Sequence, residues 1–287
     1  MTLIDYSKIE GQSGEDHGDR FQVAEPFPHA VINEILLGDS GELANAVPDP
    51  SWTGWADRTS QRQPGKWSCR DIDVMPHAMR DLILELSGPR FLEALQRITS
   101  IDALLPDLYL QGGGLQCMDP GGKLTPHTDF HRHPNFRLFR RVNVLLYLNP
   151  AWRPGDGGEL VLFDFDDGHP IVTVPPRFGS CVIFATDHRS IHGVQPLTGA
   201  GRRSSIALFY YTIDDVDVFS GDRPAYWYPP TTWDEQDLVL RARSKAKKTA
   251  LVMAKALTHA AYRVDPQKAN LVGGGASTLA HVSSGPV

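Results

Sequence analysis

The spacing of apolar positions divides the chain into a helical stretch, a long run of short strands and a second helical stretch. Met79, Leu82, Ile83 and Leu86 recur at helical intervals, and after the Gly88-Pro89 break Phe91, Leu92, Leu95 and Ile98 repeat the pattern, so two consecutive helices are predicted. A short helix is expected around 40–46 and an early strand over 67–74, whereas residues 1–25 are polar and Gly/Asp-rich and are expected to be loosely ordered. Beyond residue 106 the period shortens. Segments 107–117, 123–129, 141–149, 158–165, 170–174, 180–186, 191–197 and 204–212 read as strands separated by Gly, Pro and Asp. Eight such strands suit a double-sheet jelly roll, with the helices packed on one outer face in an α+β arrangement.

After Pro229 the pattern turns helical from about Thr232 to Tyr262, with Ala246, Ala250, Met253, Leu257 and Ala261 on one stripe and a strongly basic remainder. A solvated helix face packed on the barrel is the leading reading of that stretch, and a membrane-surface or anionic-partner helix the lesser one. The expected organisation is an N-terminal extension at 1–105, a double-stranded β-helix core at 106–229, a basic helix at 230–265 and a flexible Gly/Ser-rich tail at 266–287.

Composition narrows the class without naming a chemistry. The chain has 287 residues, 41% hydrophobic and 22% charged, which is ordinary for a globular protein. A net charge of −6 gives no general reason to expect nucleic acid as a partner. No apolar run is long enough for a membrane span, and the N-terminus lacks the basic start and apolar stretch of a secretory signal. The three scattered cysteines, Cys69, Cys117 and Cys181, suit reduced thiols and a cytoplasmic location.

The chemistry begins with His127-Thr-Asp129. Residues two apart in a strand point to the same side, so this pair can meet one metal ion, and His192 can join it from a second strand. Two histidines and a carboxylate form the facial triad of non-haem Fe(II), which leaves coordination positions open. With 11 histidines in the chain an isolated His-x-Asp means little, and either histidine could equally be a strand-end or core residue. The wider order of motifs decides: His127-Thr-Asp129, then Arg141-Val-Asn-Val-Leu-Leu-Tyr147-Leu-Asn149, Gly157-Gly158-Glu159-Leu160, Pro175 to Gly179, His192 and Arg203-Ser-Ser205. The 192−127 = 65 residues between the histidines allow several strands to bring the chain back to the metal.

In these motifs, from about Leu108 to Thr212, the chain resembles the 2-oxoglutarate- and Fe(II)-dependent dioxygenases, in particular their prolyl-4-hydroxylase-like branch. The resemblance implies iron ligation by His127, Asp129 and His192, which makes them the catalytic centre. It implies binding of the distal carboxylate of 2-oxoglutarate by Arg203, assisted by Ser205, with Tyr147 and, less directly, Asn143 on the facing wall. A guanidinium suits that task because its planar fork matches a carboxylate and keeps its charge. Arg202 is the competing register, and Tyr147 could instead be a plain core tyrosine. Asp129 also favours C–H oxidation over halogenation, since related halogenases lack the carboxylate. The implied reaction consumes O2, converts 2-oxoglutarate to succinate and CO2, and hydroxylates a C–H bond, with ascorbate as a supporting reductant.

The segment 130–140 follows the triad strand and carries His131, Arg132, His133, Arg137 and Arg140 among phenylalanines; His131, Arg132, His133 and Arg137, with Trp152, are the candidate substrate contacts. A small-molecule substrate, an amino acid or natural-product intermediate, is the leading expectation, and a prolyl or other residue of a peptide is the alternative. A non-catalytic jelly-roll module binding a sugar or acid is the reading from another class. A zinc hydrolase ranks last, because it leaves Arg203 and Ser205 without a role.

Overall fold

The computed structural model describes residues 2–10, 17–38, 40–213, 226–227 and 253. The helix expected over 230–265 (Met253 apart) and the tail at 266–287 lie outside them. In chain order the elements are α1 (Tyr6–Glu10), α2 (His17–Val23), β1 (His29–Ile32), α3 (Ser40–Asn45), β2 (Ala56–Asp57), β3 (Lys66–Cys69), α4 (His77–Leu86), α5 (Pro89–Thr99), β4 (Leu105–Pro106), β5 (Gly114–Met118) and β6 (Leu124–Thr128). They continue with β7 (Phe139–Tyr147), β8 (Leu160–Phe163), β9 (Pro170–Val174), β10 (Cys181–Ala185), β11 (His192–Val194), β12 (Arg203–Thr212) and β13 (Tyr226–Trp227).

Two antiparallel sheets face each other as a jelly roll. The larger runs β1-β10-β7-β12-β5-β3-β2, with β4 beside β12, and the smaller runs β13-β6-β11-β8-β9. Their arrangement follows from period-two patterning. In β12, Ile206, Leu208 and Tyr210 enter the core shared with the helices, while Arg203, Ser205, Ala207 and Phe209 line the cavity between the sheets. Every residue of β12 is buried, as suits a central strand covered on both faces.

The helices seat on the outer face of the larger sheet. Pro89 opens α5 and a left-handed Ser100 (φ 53°) closes it, and Phe91, Ala94, Leu95 and Ile98 form its buried stripe. Met79, Leu82, Ile83 and Leu86 do the same for α4. Tyr210 of β12 ties the layers together: its hydroxyl donates to the Leu86 carbonyl at 2.8 Å and its ring lies 6.2 Å from that of Phe91.

The strands expected after residue 123 form close to their expected limits, but the one expected over 107–117 is shorter. Residues 107–113 make turns instead, with left-handed backbone at Leu110 and Gly112. The N-terminal residues depart further. Ile4, Tyr6, Ile9 and Phe21 are buried in the main core, so this segment is packed where loose order was expected. Residues before 106 also add three strands to the larger sheet, through β1 on β10 and the β2–β3 hairpin on β5. The three cysteines are free and buried, and burial pushes the Cys181 thiol up to about 12. Among the described residues no helix is long and apolar enough to cross a membrane.

Candidate metal and co-substrate site

The triad forms where β6 and β11 pair. His127 stands directly opposite His192 in the register, and the two rings lie 4.4 Å apart between centroids. Asp129 follows at the end of β6. One ligand atom from each of the three residues lies within 4.8 Å of the others. His127 Nε2 is 3.6 Å from Asp129 Oδ1, and His192 Nε2 is 3.6 Å from Asp129 Oδ2.

Backbone carbonyls set the tautomers. His127 Nδ1 lies 2.9 Å from the Thr125 carbonyl and His192 Nδ1 lies 2.9 Å from the Ser190 carbonyl. A carbonyl can only accept, so each Nδ1 carries the proton and each Nε2 presents a lone pair. Burial lowers the His192 imidazole to about 4, and His127 adds to that effect while Asp129 opposes it. The ring is therefore neutral and ligand-competent at ordinary pH. Trp227 stacks on His127 with centroids 4.6 Å apart and planes at 22°, closing the outer side of the ring.

Asp129 is held as a carboxylate. Burial alone would raise its pKa, but the charge of the Arg140 guanidinium helps to bring it well below the ordinary carboxylate range. Arg140 Nη1 lies 2.9 Å from Oδ2, and Asn143 Nδ2 donates to the same oxygen at 2.6 Å. Thr186 in turn donates to Asn143 Oδ1 at 3.2 Å, which fixes the amide's orientation. Asn143 and Arg140 thus hold the carboxylate through Oδ2, and Oδ1 lies on the side of His127. Two lone-pair nitrogens and one carboxylate oxygen on a common point, with the remaining directions open, fit a divalent iron.

A cavity of about 80 Å³ adjoins the triad. Arg203, Ser205 and Asn143 line it together with His127, Asp129 and His192. Arg203 gives Nε to the Gly158 carbonyl at 2.7 Å and holds its guanidinium 4.9 Å from the Tyr147 ring. Gly158 permits this approach: its φ is +75°, and a Cβ there would sit 3.1 Å from Arg203 Cδ. Arg202 turns the other way and donates to Asp119 Oδ1 at 2.7 Å. Tyr147 is fully buried behind Arg203, in an apolar cluster with Leu160, Val182 and Phe184, and burial raises its phenol.

The candidate substrate contacts are not brought to this cavity. His133 is buried 3.4 Å from Asp107, against the rings of Phe136 and Tyr211, and it braces the loop that carries it. Arg132 and Arg137 are exposed, and His131 is partly buried with its ring 6.2 Å from that of Phe139. Trp152 donates to the Gly157 carbonyl at 2.9 Å and lines a separate cavity of about 490 Å³.

Arg140, expected at the mouth of the site, instead meets Asp129, and Lys66 was not expected at the site at all. Arg140 reaches Asp129 because the β7–β12 register shifts beside Tyr210 and Tyr211, a bulge that re-aims the side chain. Lys66 lines the cavity from β3, a strand too short to announce its face. No sequence signal shows the Arg140–Asp129 contact or the placement of Lys66.

Comparison with known proteins agrees with this geometry. Residues 113–211 match the family model described as the 2OG-Fe(II) oxygenase superfamily. The prolyl 3-hydroxylase OGFOD1 of Xenopus laevis is 25% identical over 210 residues, covering 70% of this chain and 38% of that protein. This chain therefore corresponds to less than half the length of that curated relative. Among solved structures, a prolyl hydroxylase from Trichoplax adhaerens superposes with a TM-score of 0.51 at 21% identity, covering 68% of this chain and 87% of that one. The non-haem α-ketoglutarate-dependent epimerase SnoN of nogalamycin biosynthesis gives 0.50 at 17% identity, covering 79% and 93%. Over residues 113–211, about a third of its length, the chain is thus similar to the 2OG-Fe(II) oxygenase superfamily, and its fold is that of the solved oxygenase structures.

Proposed function

We propose that this enzyme hydroxylates a prolyl residue within a peptide, with iron held by His127, Asp129 and His192 and the distal carboxylate of 2-oxoglutarate held by Arg203 and Ser205. The observation that carries the site assignment is the convergence of two Nε2 lone pairs and one carboxylate within 4.8 Å, beside a cavity lined by Arg203. When bound, iron and 2-oxoglutarate supply the oxidising power and release succinate and CO2.

The chain's own residues bind and orient. The Thr125 and Ser190 carbonyls hold the imidazoles in one tautomer. Arg140 and Asn143 keep Asp129 ionised and turned to one side. Arg203, with Nε committed to Gly158, offers its terminal nitrogens to the co-substrate. The Ser205 hydroxyl stands two residues along on the same face. The peptide target is supported by the curated prolyl 3-hydroxylase relative. The fold itself also serves small-molecule chemistry, as in the SnoN epimerase, so a free amino acid is the second reading.

Anaerobic addition of Fe(II) and 2-oxoglutarate is expected to give a visible charge-transfer band. In air, proline-containing peptides are expected to stimulate succinate release and to gain one oxygen on proline. Absence of both the band and succinate overturns the iron assignment. Stimulation by free amino acids and by no peptide overturns the peptide target. Asp129→Ala is expected to abolish turnover, and Arg203→Ala to raise the 2-oxoglutarate concentration required while Arg202→Ala leaves it unchanged.

A further inference from the structure

Lys66 stands opposite Met118 across the β3–β5 pair, and Met118 stands opposite Arg203 across the β5–β12 pair. Residues directly opposite in antiparallel strands present their side chains on one face, so Lys66, Met118 and Arg203 form a row across the sheet. All three line the cavity beside the triad. Adjacent strands lie about 4.8 Å apart, which puts the backbones of the two cationic residues roughly 10 Å apart, within converging reach of two long side chains.

The lysine ammonium has no hydrogen-bond or ion-pair partner among the described residues. Its pKa is lowered to about 8, chiefly by burial; attraction from Asp129 opposes this, and repulsion from Arg203 and Arg58 adds to it. Lys66 is half-buried, so an anion that enters the cavity can reach it. The one carboxylate among the cavity's lining residues, Asp129, is already matched by Arg140. The wall formed by Lys66 and Arg203 therefore presents two cationic side chains to an incoming anion.

We propose that Lys66 is a second cationic contact for the distal carboxylate of 2-oxoglutarate, the ammonium and the Arg203 guanidinium taking hold of it from either side of Met118. The inference rests on the assignment of Arg203 to that carboxylate. Arg203 alone can hold one edge of a carboxylate with its terminal nitrogens, and Lys66 supplies a donor from the neighbouring direction. The pair makes the pocket selective for 2-oxo acids that end in a second carboxylate.

The test is an anaerobic titration of the Fe(II) enzyme, following the charge-transfer band with 2-oxoglutarate and with 2-oxobutyrate, which has the same chelating end and no distal carboxylate. Lys66→Met is expected to weaken 2-oxoglutarate binding about tenfold or more while leaving 2-oxobutyrate within about twofold, and Lys66→Arg to recover most of the loss. Equal affinity of wild type and Lys66→Met for 2-oxoglutarate overturns the proposal, as does equal weakening of both acids. A wild-type enzyme that gives no band refutes the iron and co-substrate assignment itself, a failure distinct from that of Lys66. If Lys66→Met does not fold, Lys66→Gln keeps the length, removes the charge and is read by the same two titrations.

Discussion

Arg140 is completely buried, with its guanidinium carbon 3.9 Å from the Phe130 ring and 3.5 Å from the Phe209 ring, and its Nη1 lies 2.9 Å from Asp129 Oδ2. A planar cation between two aromatic faces cannot be replaced by a tetrahedral ammonium of the same charge. Both Arg140→Met and Arg140→Lys are therefore expected to weaken Fe(II) or Mn(II) binding by about 10- to 100-fold, the usual cost of losing a group that orients a metal ligand, as measured by metal titration. Lys66 makes a different prediction. Its pKa is lowered to about 8, so between pH 8 and the ordinary lysine value the unfolded chain binds the extra proton and the native state does not. Stability of the metal-free enzyme should rise with pH across that window. Lys66→Met should abolish that rise and stabilise the metal-free enzyme at neutral pH by about 1–2 kcal/mol, read by denaturant unfolding. His127, Asp129, His192 and Arg203 were legible in the sequence because strand alternation and motif order constrain them. Arg140 depends on a bulge and Lys66 on a pairing between distant strands, and local sequence encodes neither.

At the level of elements, the turn before β8 does more than reverse the chain. Gly158 has a left-handed backbone, lends its carbonyl to Arg203 and leaves room for the arginine's methylenes. Gly158→Ala is expected to cost about 1 kcal/mol or more from φ alone, and to raise the 2-oxoglutarate requirement by displacing Arg203. Its readouts are a melting curve and a co-substrate titration. Tyr210→Phe removes the link from β12 to the end of α4 and should cost about 1 kcal/mol with little change in co-substrate affinity. The two helices were readable because Met79, Leu82, Ile83 and Leu86, and Phe91, Leu95 and Ile98, repeat at helical spacing over more than two turns. The N-terminal segment departs from the expected loose order for the opposite reason. Its burial depends on a few separated anchors, Ile4, Tyr6, Ile9 and Phe21, inside a stretch whose average composition is polar. Strands β1 and β3, at four residues each, are too short for alternation to show.

At the scale of the whole molecule, the site joins the two sheets. His127 and His192 belong to the smaller sheet, and Arg203, Ser205 and Asn143 to the larger. A metal and a co-substrate bound together should clamp the sheets. At a hundred times its dissociation constant a ligand adds about 2.7 kcal/mol to stability, which for a domain of this size raises the melting temperature by about 5–10 °C. Manganese with 2-oxoglutarate should produce that shift in the wild type and none in Asp129→Ala. Arg203 has one further consequence, because its guanidinium is buried beside the triad and moored to the Gly158 carbonyl. Cutting it back to glycine should leave a void of the same shape, which added methylguanidine can refill to revive the crippled variant, a repair for which the native enzyme has no room.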